Sequence, residues 1–487
     1  MTPPATGPGP SAATANTEGA GPDPDPREPR ADGPDARHRP LGDADDRRAD
    51  TPGRHPHPRG TRRGRRIPGP VTRHPGLRGD LRAVGPVTRL LIGSQLAFNI
   101  GFFAVLPYLA AHLTDAIGLA GWLVGLVLGL RTFSQQGLFV VGGALTDRFG
   151  ARPVVLVGCV LRVVGFAWLA FARDTGSVIA SVLLIGFAAA LFSPAVETEV
   201  ARQAVRHEHA TGTPRTRVLG LFSVAGQAGT LIGPPLGTLL LFTGFPAACL
   251  VGAGVFTLVL AAHLRWMPRR APGAPDVRDR PRLGEGLRAL LGHRRFLLLC
   301  LAYSTYLLAY NQLYLALPGE LERATGTQTA LGWLLAWASL LYIAAQLPVL
   351  RWVGGRLSHR ATVRWGLALL AVGFAAVPVL APMTSLGGLV PSAVLVTAIT
   401  LGQVLIVPTV RAWVPDLVDG ARLGLFTGAL SSLSGLVVLL GSVPVGALLD
   451  LGGPAVWIVL AAVPLLGAAC VPRTASGTPK TGVRVPS

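Results

Sequence analysis

Between residues 88 and 471 the chain alternates long apolar runs with short polar punctuation. The runs lie at 88–111, 119–141, 153–172, 177–198, 218–242 and 245–266, then at 296–318, 329–350, 363–381, 387–410, 424–447 and 454–471. Each is about long enough to cross a hydrocarbon layer of roughly 30 Å as a helix. The longest hydrophilic interruption, 267–295, is rich in arginine and proline and follows the sixth run. The pattern predicts an all-α membrane protein of about twelve transmembrane helices in two six-helix halves, 87–266 and 296–471, joined by a cytoplasmic central loop. The most telling punctuation is Gly142-Gly143-Ala144-Leu145-Thr146-Asp147-Arg148-Phe149-Gly150-Ala151-Arg152-Pro153. Its flanking runs carry one charge each, Arg131 and Arg162. A charged turn this short belongs at a membrane surface, where Asp147, Arg148 and Arg152 stay wet.

Composition sharpens this picture. Half of the residues are hydrophobic and only 14% are charged, well below the quarter or so usual in soluble domains. The formal net charge of +19 would suit nucleic-acid binding. The arginines, however, fall between apolar runs and in the N-terminal tail, so no nucleic-acid partner is expected; the bilayer is. Lys480 is the sole lysine, a mark of coding bias rather than of mechanism. Arginine crowds the 2–3 turn (Arg148, Arg152), the 4–5 loop (Arg202, Arg206, Arg215, Arg217) and the central loop. The 8–9 turn (Arg351, Arg356, Arg360, Arg364) and the C-terminus (Arg473, Arg484) continue the series, whereas the opposite side offers little beyond Arg173 and Arg323. Positive charge marks the inner side, so both termini are expected in the cytoplasm and the protein in the bacterial cytoplasmic membrane.

Residues 1–86 are rich in Pro, Gly, Asp, Arg and His and poor in large apolar side chains. Such a segment buries too little surface to offset its ordering entropy, and it reads as a disordered cytoplasmic tail. Residues 472–487 read as a second cytoplasmic tail. The four cysteines, at 159, 249, 300 and 470, sit singly inside apolar runs. They lack metal or disulfide spacing and act as small hydrophobes.

An internal repeat supports the division into halves. Gly142-Gly143-Ala144-Leu145-Thr146-Asp147-Arg148 is echoed by Gly354-Gly355-Arg356-Leu357-Ser358-His359-Arg360, an offset of 354 − 142 = 212. Pro194-Ala195-Val196-Glu197 is echoed by Pro408-Thr409-Val410-Arg411, an offset of 408 − 194 = 214. Pro235-Leu236-Gly237 is echoed by Pro444-Val445-Gly446, an offset of 444 − 235 = 209. Three matches in order at nearly constant offset indicate homologous halves, a plan used by transporters that hold substrate at the midplane between repeats.

Two motifs together resemble the major facilitator superfamily. The first is Gly143, Asp147, Arg148, Gly150 and Arg152, similar to that family's loop 2–3 signature. The second, Gly229-Thr230-Leu231-Ile232-Gly233-Pro234-Pro235-Leu236-Gly237 in helix five, resembles the antiporter signature of its drug:proton antiporter branch. Gly129-Leu130-Arg131 followed by Gln135-Gln136-Gly137 further resembles the MdtH-like multidrug subgroup. The resemblance covers about 88–471. It departs at His359, where symmetry would place an aspartate. It departs again at Leu183-Leu184-Ile185-Gly186, where the arginine usual in the middle of helix four is missing.

The resemblance implies a gate at the opening turn. There Gly143 would let helix two approach a neighbour, and Asp147 would face the positive N-terminal end of helix eleven near Gly420. A carboxylate there stabilises by roughly 0.3–1 kcal/mol when exposed and up to about 2 when partly buried. In helix five, Gly229, Gly233 and Gly237 share one face suited to close packing in lipid. Pro234 and Pro235 remove backbone donors and should bend the helix, at an interface between the halves.

Charges at membrane depth are functional candidates. Arg131 lies in helix two with Gln135 one turn away. Glu197 and Glu199 lie in the cytoplasmic third of helix four, and Arg411 holds the repeat-equivalent place to Glu197 in helix ten. Glu197 is the expected proton carrier, with Arg411 or Arg131 as its counter-charge. Arg162, on helix three, which is peripheral in the resembled fold, reads as structural. Tyr303, Tyr306, Tyr310 and Tyr314 form one stripe of helix seven beside Asn311 and Gln312. With Trp333 and Trp337 they are expected to line a substrate cavity.

The leading expectation is proton-coupled efflux of small amphipathic compounds by alternating access. Proton-coupled uptake of a nutrient or metabolite is the alternative, and a membrane enzyme or receptor the remote one. No ATP-binding motif, cofactor motif or metal spacing stands in the sequence, so a proton gradient is the expected energy source. The protein is expected to work as a monomer.

Overall fold

The computed structural model of the chain describes residues 81–268, 290–354, 356–383, 385–417 and 423–473. Eleven of its helices are long and apolar enough to cross a membrane, and a shorter apolar one, Ala455–Cys470, follows them. In chain order they are α1 (Pro86–Phe103), α2 (Gly121–Gln136, resumed at Phe139–Phe149), α3 (Ala151–Phe171) and α4 (Thr175–Thr211). Next come α5 (Arg215–Leu241), α6 (Phe245–Trp266), α7 (Arg294–Leu315) and α8 (Leu331–Gly354). The last four are α9 (His359–Leu380), α10 (Val390–Leu417), α11 (Leu423–Leu451) and α12 (Ala455–Cys470). Most of the tail 1–86, the central loop and the C-terminal tail lie outside the described residues.

Packing repeats the sequence repeat. α3 lies on α4 and α6, as α9 lies on α10 and α12; α1 lies on α5, as α7 lies on α11. Two seams join the halves, α2 with α11 and α5 with α8. Since α2 corresponds to α8 and α5 to α11 in the repeat, these seams are images of one another. An even number of crossings puts both chain ends at one end of the bundle, here called the termini end; the other is the far end.

The opening turn is shorter than the sequence implies. Gly142 to Phe149 continue α2 as helix, and the chain reverses at Gly150, whose φ of +87° places it where only glycine is comfortable. α3 starts at the next residue with Pro153 in its first turn, where its missing N–H costs nothing. α4 also departs from expectation, running 37 residues to Thr211 rather than ending near 198. At 1.5 Å per residue it is about 55 Å long, so its last turns overhang a hydrocarbon layer. Arg202 and Arg206 are therefore helical, and the 4–5 connection is only Gly212, Thr213 and Pro214. The overhang is held by side chains one turn apart: Glu199 accepts from Gln203 (2.8 Å) and pairs with Arg202 (3.5 Å). At its other end α4 is capped by Asp174, whose Oδ1 accepts from the Ser177 amide at 2.9 Å. That hydrogen bond holds the Asp174 carboxyl below its ordinary range.

Candidate functional site

A cavity of about 570 Å³ opens between the halves toward the termini end. Gln95, Asn99 and Phe103 of α1, Glu197 of α4, and Ser223, Gln227 and Thr230 of α5 form the first-half wall. Tyr310 and Tyr314 of α7, Ser339 and Tyr342 of α8, and Gln403 and Arg411 of α10 face them from the second half. Glu197 and Arg411, the repeat-equivalent pair, thus stand on opposite walls. Both are exposed to the cavity, and Arg411 is within electrostatic reach of Glu197. The wall carries one acid, one base and a ring of amides and hydroxyls, a surface able to hold water and a polar solute inside the membrane protein.

The tyrosine stripe divides. Successive rings from Tyr303 through Tyr314 lie 5.4, 6.1 and 5.9 Å apart. Only Tyr310 and Tyr314 line the cavity, and their hydroxyls bond to one another at 3.2 Å. Tyr306 is buried and Tyr303 packs against the core. Asn311 is buried too, and it serves as a tether rather than a cavity wall. It accepts from Thr132 of α2 (3.4 Å) and donates to Ser442 of α11 (3.3 Å). Arg131, buried at the same level, donates to Thr132 at 2.9 Å and lies 5.5 Å from the Phe102 ring centroid. Neither Arg131 nor Gln135 lines the two large cavities. Trp333 and Trp337 point outward, 61% and 46% exposed, so they belong to the lipid-facing surface. Tyr342, Gln95 and Gln403 are cavity residues that sequence reasoning missed. Their only signal was a polar side chain in an otherwise apolar run.

Arg162 is enclosed within the first half. Its guanidinium lies 4.3 Å from the Phe98 ring centroid, 5.0 Å from those of Phe102 and Phe256, and 5.9 Å from that of Phe166. Aromatic faces attract the cation, which gives this charge a packing role in the core.

The loop 2–3 motif does several separate jobs. Among the described residues, and apart from its own helix, no atom lies within 4 Å of a Cβ built on Gly143. The neighbour Gly142 makes a close approach, against the Ala190 carbonyl and Pro194 of α4. Arg152 donates to the Leu264 carbonyl in the last turn of α6 at 3.1 Å, a tie inside the first half. Arg148 lies over the Phe149 ring. The contact expected between Asp147 and the start of helix eleven near Gly420 lies outside the described residues. The degenerate twin has an acid after all: His359 lies 3.7 Å from Asp416 of α10.

The helix-five glycines face α1, not the other half. A Cβ on Gly229 would meet Asn99, one on Gly233 would meet Phe103, and one on Gly237 would meet Ala104 and Tyr108. α5 stays helical through Pro234 and Pro235. The Pro234 carbonyl accepts from the Tyr108 hydroxyl at 2.5 Å, and that hydroxyl also bonds Thr238 at 2.7 Å. Gly332 of α8 sits directly against this group, with a Cβ there only 2.6 Å from the Tyr108 hydroxyl and 2.7 Å from the Pro234 carbonyl. The far end is closed at this point, above the cavity.

Two repeated six-helix halves around a polar cavity define a membrane carrier. The family profile of the Major Facilitator Superfamily matches residues 91–319. The uncharacterized MFS-type transporter Rv0849 of Mycobacterium tuberculosis is 34% identical over 385 residues, 77% of this chain and 88% of that protein. Multidrug resistance protein MdtH of Salmonella typhimurium is 30% identical over 365 residues, covering 74% of this chain and 86% of its own. Among solved structures, the nucleoside transporter NupG superposes with a TM-score of 0.66 at 14% identity, over 80% of this chain and 98% of that one. The chain belongs to the Major Facilitator Superfamily and is a multi-pass cell-membrane transporter.

Proposed function

We propose that the protein is a proton-coupled exporter of small amphipathic compounds that works by alternating access, with its termini in the cytoplasm. The observation that carries this reading is the cavity with Glu197 and Arg411 on opposite walls, open at the termini end and closed at the far end by Tyr108, Pro234, Thr238 and Gly332. A carboxylate at the mouth of such a cavity takes up a proton when the opposing cation is distant and releases it when the walls approach. The apolar flanks of Phe103, Leu219, Phe222, Leu313 and Leu335 beside polar groups suit a substrate with one apolar and one polar face. Similarity to multidrug resistance proteins of the MdtH kind supports export. Asp147 would act as a separate gate charge at the helix-eleven end, and neutralising it would loosen the termini-end closure.

Everted membrane vesicles test this reading. Addition of an amphipathic dye or drug should collapse a pre-formed pH gradient, and Glu197→Gln should abolish the collapse while leaving binding measurable. No collapse over a broad panel overturns proton antiport and points to uptake. An intact proton-driven efflux in Glu197→Gln removes that residue as the proton carrier.

A further inference from the structure

The far end of the α2/α11 seam holds a charged contact that no part of the transport reading uses. α2 begins at Gly121 and has no capping side chain of its own. Instead the Gly121 N–H donates to both carboxylate oxygens of Asp450, at 2.9 and 2.8 Å. Asp450 stands at the end of α11, in the other half and 329 residues away. A carboxylate at a helix N-terminus satisfies an orphan N–H and meets the positive end of the helix dipole.

The approach requires both glycines. A Cβ on Gly121 would collide with the Asp450 carboxylate and the Gly446 carbonyl, and one on Gly446 would collide with the Gly121 carbonyl. The contact also faces a second cavity, of about 600 Å³, lined by Asp115, Glu320, Glu322, Arg323 and Gln328. Arg323 is engaged by Glu320 through Nε at 2.8 Å. Three carboxylates and one guanidinium thus share with Asp450 the wall of this cavity.

We propose that Asp450 is the latch of the far-end gate: a carboxylate of the second half that holds the first half through the N-terminus of α2. Because α2 and α11 run antiparallel, this is the head-to-tail counterpart of the arrangement expected at the termini end, where a carboxylate at the end of α2 would meet the start of α11. Each helix of the seam would then carry an acid at its C-terminal end for the N-terminus of the other. The far-end latch keeps that side shut while the cavity is open at the termini end, and it must break before the far end opens. This inference concerns the gate alone and is independent of substrate and of direction.

The test is a distance distribution by pulsed electron–electron resonance in detergent and in nanodiscs, without substrate. The full chain, with its four cysteines replaced by alanine, carries spin labels at Phe171→Cys and Pro382→Cys, both exposed at the far end. Asp450→Asn, isosteric and neutral, should lower the ratio of closed to open populations about two- to fivefold, as expected for loss of an exposed helix-terminal charge. Gly121→Ala should open the far end further, by wedging rather than by charge. Asp115→Asn, in the same cavity but not bonded to α2, should leave the closed fraction equal or raised. An unchanged distribution in Asp450→Asn overturns the latch, as does equal opening in Asp115→Asn. These distances are read without transport, so failure of the latch leaves the efflux reading standing, and failure of efflux leaves the latch standing.

Discussion

The two seams between the halves are images of each other in the repeat, yet they pack differently. Along α2/α11, small residues meet at every turn. Gly121, Gly125 and Gly129 abut Gly446, Ser442 and Leu439, and farther along Gly435 and Gly428 abut Gln136 and Val140. Where α2 breaks at Gly137, Ser432 of α11 donates to the freed Gly137 carbonyl at 2.8 Å. The α5/α8 seam touches closely at the far end, where Gly332 meets Tyr108, Pro234 and Thr238. Toward the termini end, Phe222 and Ser223 diverge from Ser339 and Tyr342 and the cavity lies between them. Lipid supplies no hydrophobic force to press helices together, so closeness follows small side chains. In α5 the small face is spent on α1 instead, which leaves this helix free to part from α8. The repeat supplies two equivalent seams, and the distribution of glycine keeps one close along its length and leaves the other apart toward the termini end.

The largest expected effect comes from breaking the close α2/α11 seam. At Gly125 a Cβ would meet the Ser442 backbone, which has no rotamer with which to yield. Gly125→Val should cost about 2–3 kcal/mol by overpacking, read as a lower thermal unfolding midpoint together with loss of transport. On the α5/α8 seam, Gly332→Ala presses on the Tyr108 hydroxyl and the Pro234 carbonyl. It should cost about 1–2 kcal/mol and shift the far-end distance distribution toward open while the protein still folds. Tyr108→Phe removes both hydroxyl bonds and should cost about 1 kcal/mol, with a smaller shift of the same sign. Gly143→Ala tests the loop 2–3 motif itself. With no neighbour within 4 Å among the described residues and a helical backbone, it should stabilise by about 0.5–1 kcal/mol, measurable in the same thermal scans. A drop there would restore the close approach assigned to Gly143 from the sequence.

The smallest effect is a pH dependence at the α4 cap. The Asp174 carboxyl is held below its ordinary range by the Ser177 hydrogen bond, so its contribution is present at neutral pH. That contribution is lost as the pH falls through the folded-state value. Hydrogen exchange at the first amides of α4 should therefore quicken in acid for the native chain, beyond the intrinsic change of rate, and show no such extra step in Asp174→Ala.

The helices and the repeat were legible in the sequence, because membrane-length hydrophobic runs and their spacing are local properties of the chain. α6 begins and ends where its apolar run does, at Phe245 and Trp266. Errors of extent arose where helix outlasts hydrophobicity. α4 continues through Arg202 and Arg206 on side-chain pairing, and α2 continues through Asp147 to a single left-handed glycine. Neither extension leaves a trace in hydropathy.

The site divides in the same way. Glu197, Arg411, Tyr310 and the Gly229–Gly237 stripe stood out in the sequence because a charge, a tyrosine stripe or a glycine period is conspicuous among apolar residues. What each one meets did not stand out. Asn311 looked like a cavity residue and proved a tether, since a face of α7 becomes cavity or seam according to which helix lies across from it. Asp450 drew no notice, as an acid at a helix end is ordinary until the start of α2 is found 2.8 Å away. By itself the sequence determined a twelve-helix bundle of two related halves with glycine faces suited to close contact. Only the tertiary structure decided which glycine face seals the halves, which pair of walls stands apart, and which carboxylate holds the far end, because those outcomes depend on contacts between residues hundreds of positions apart.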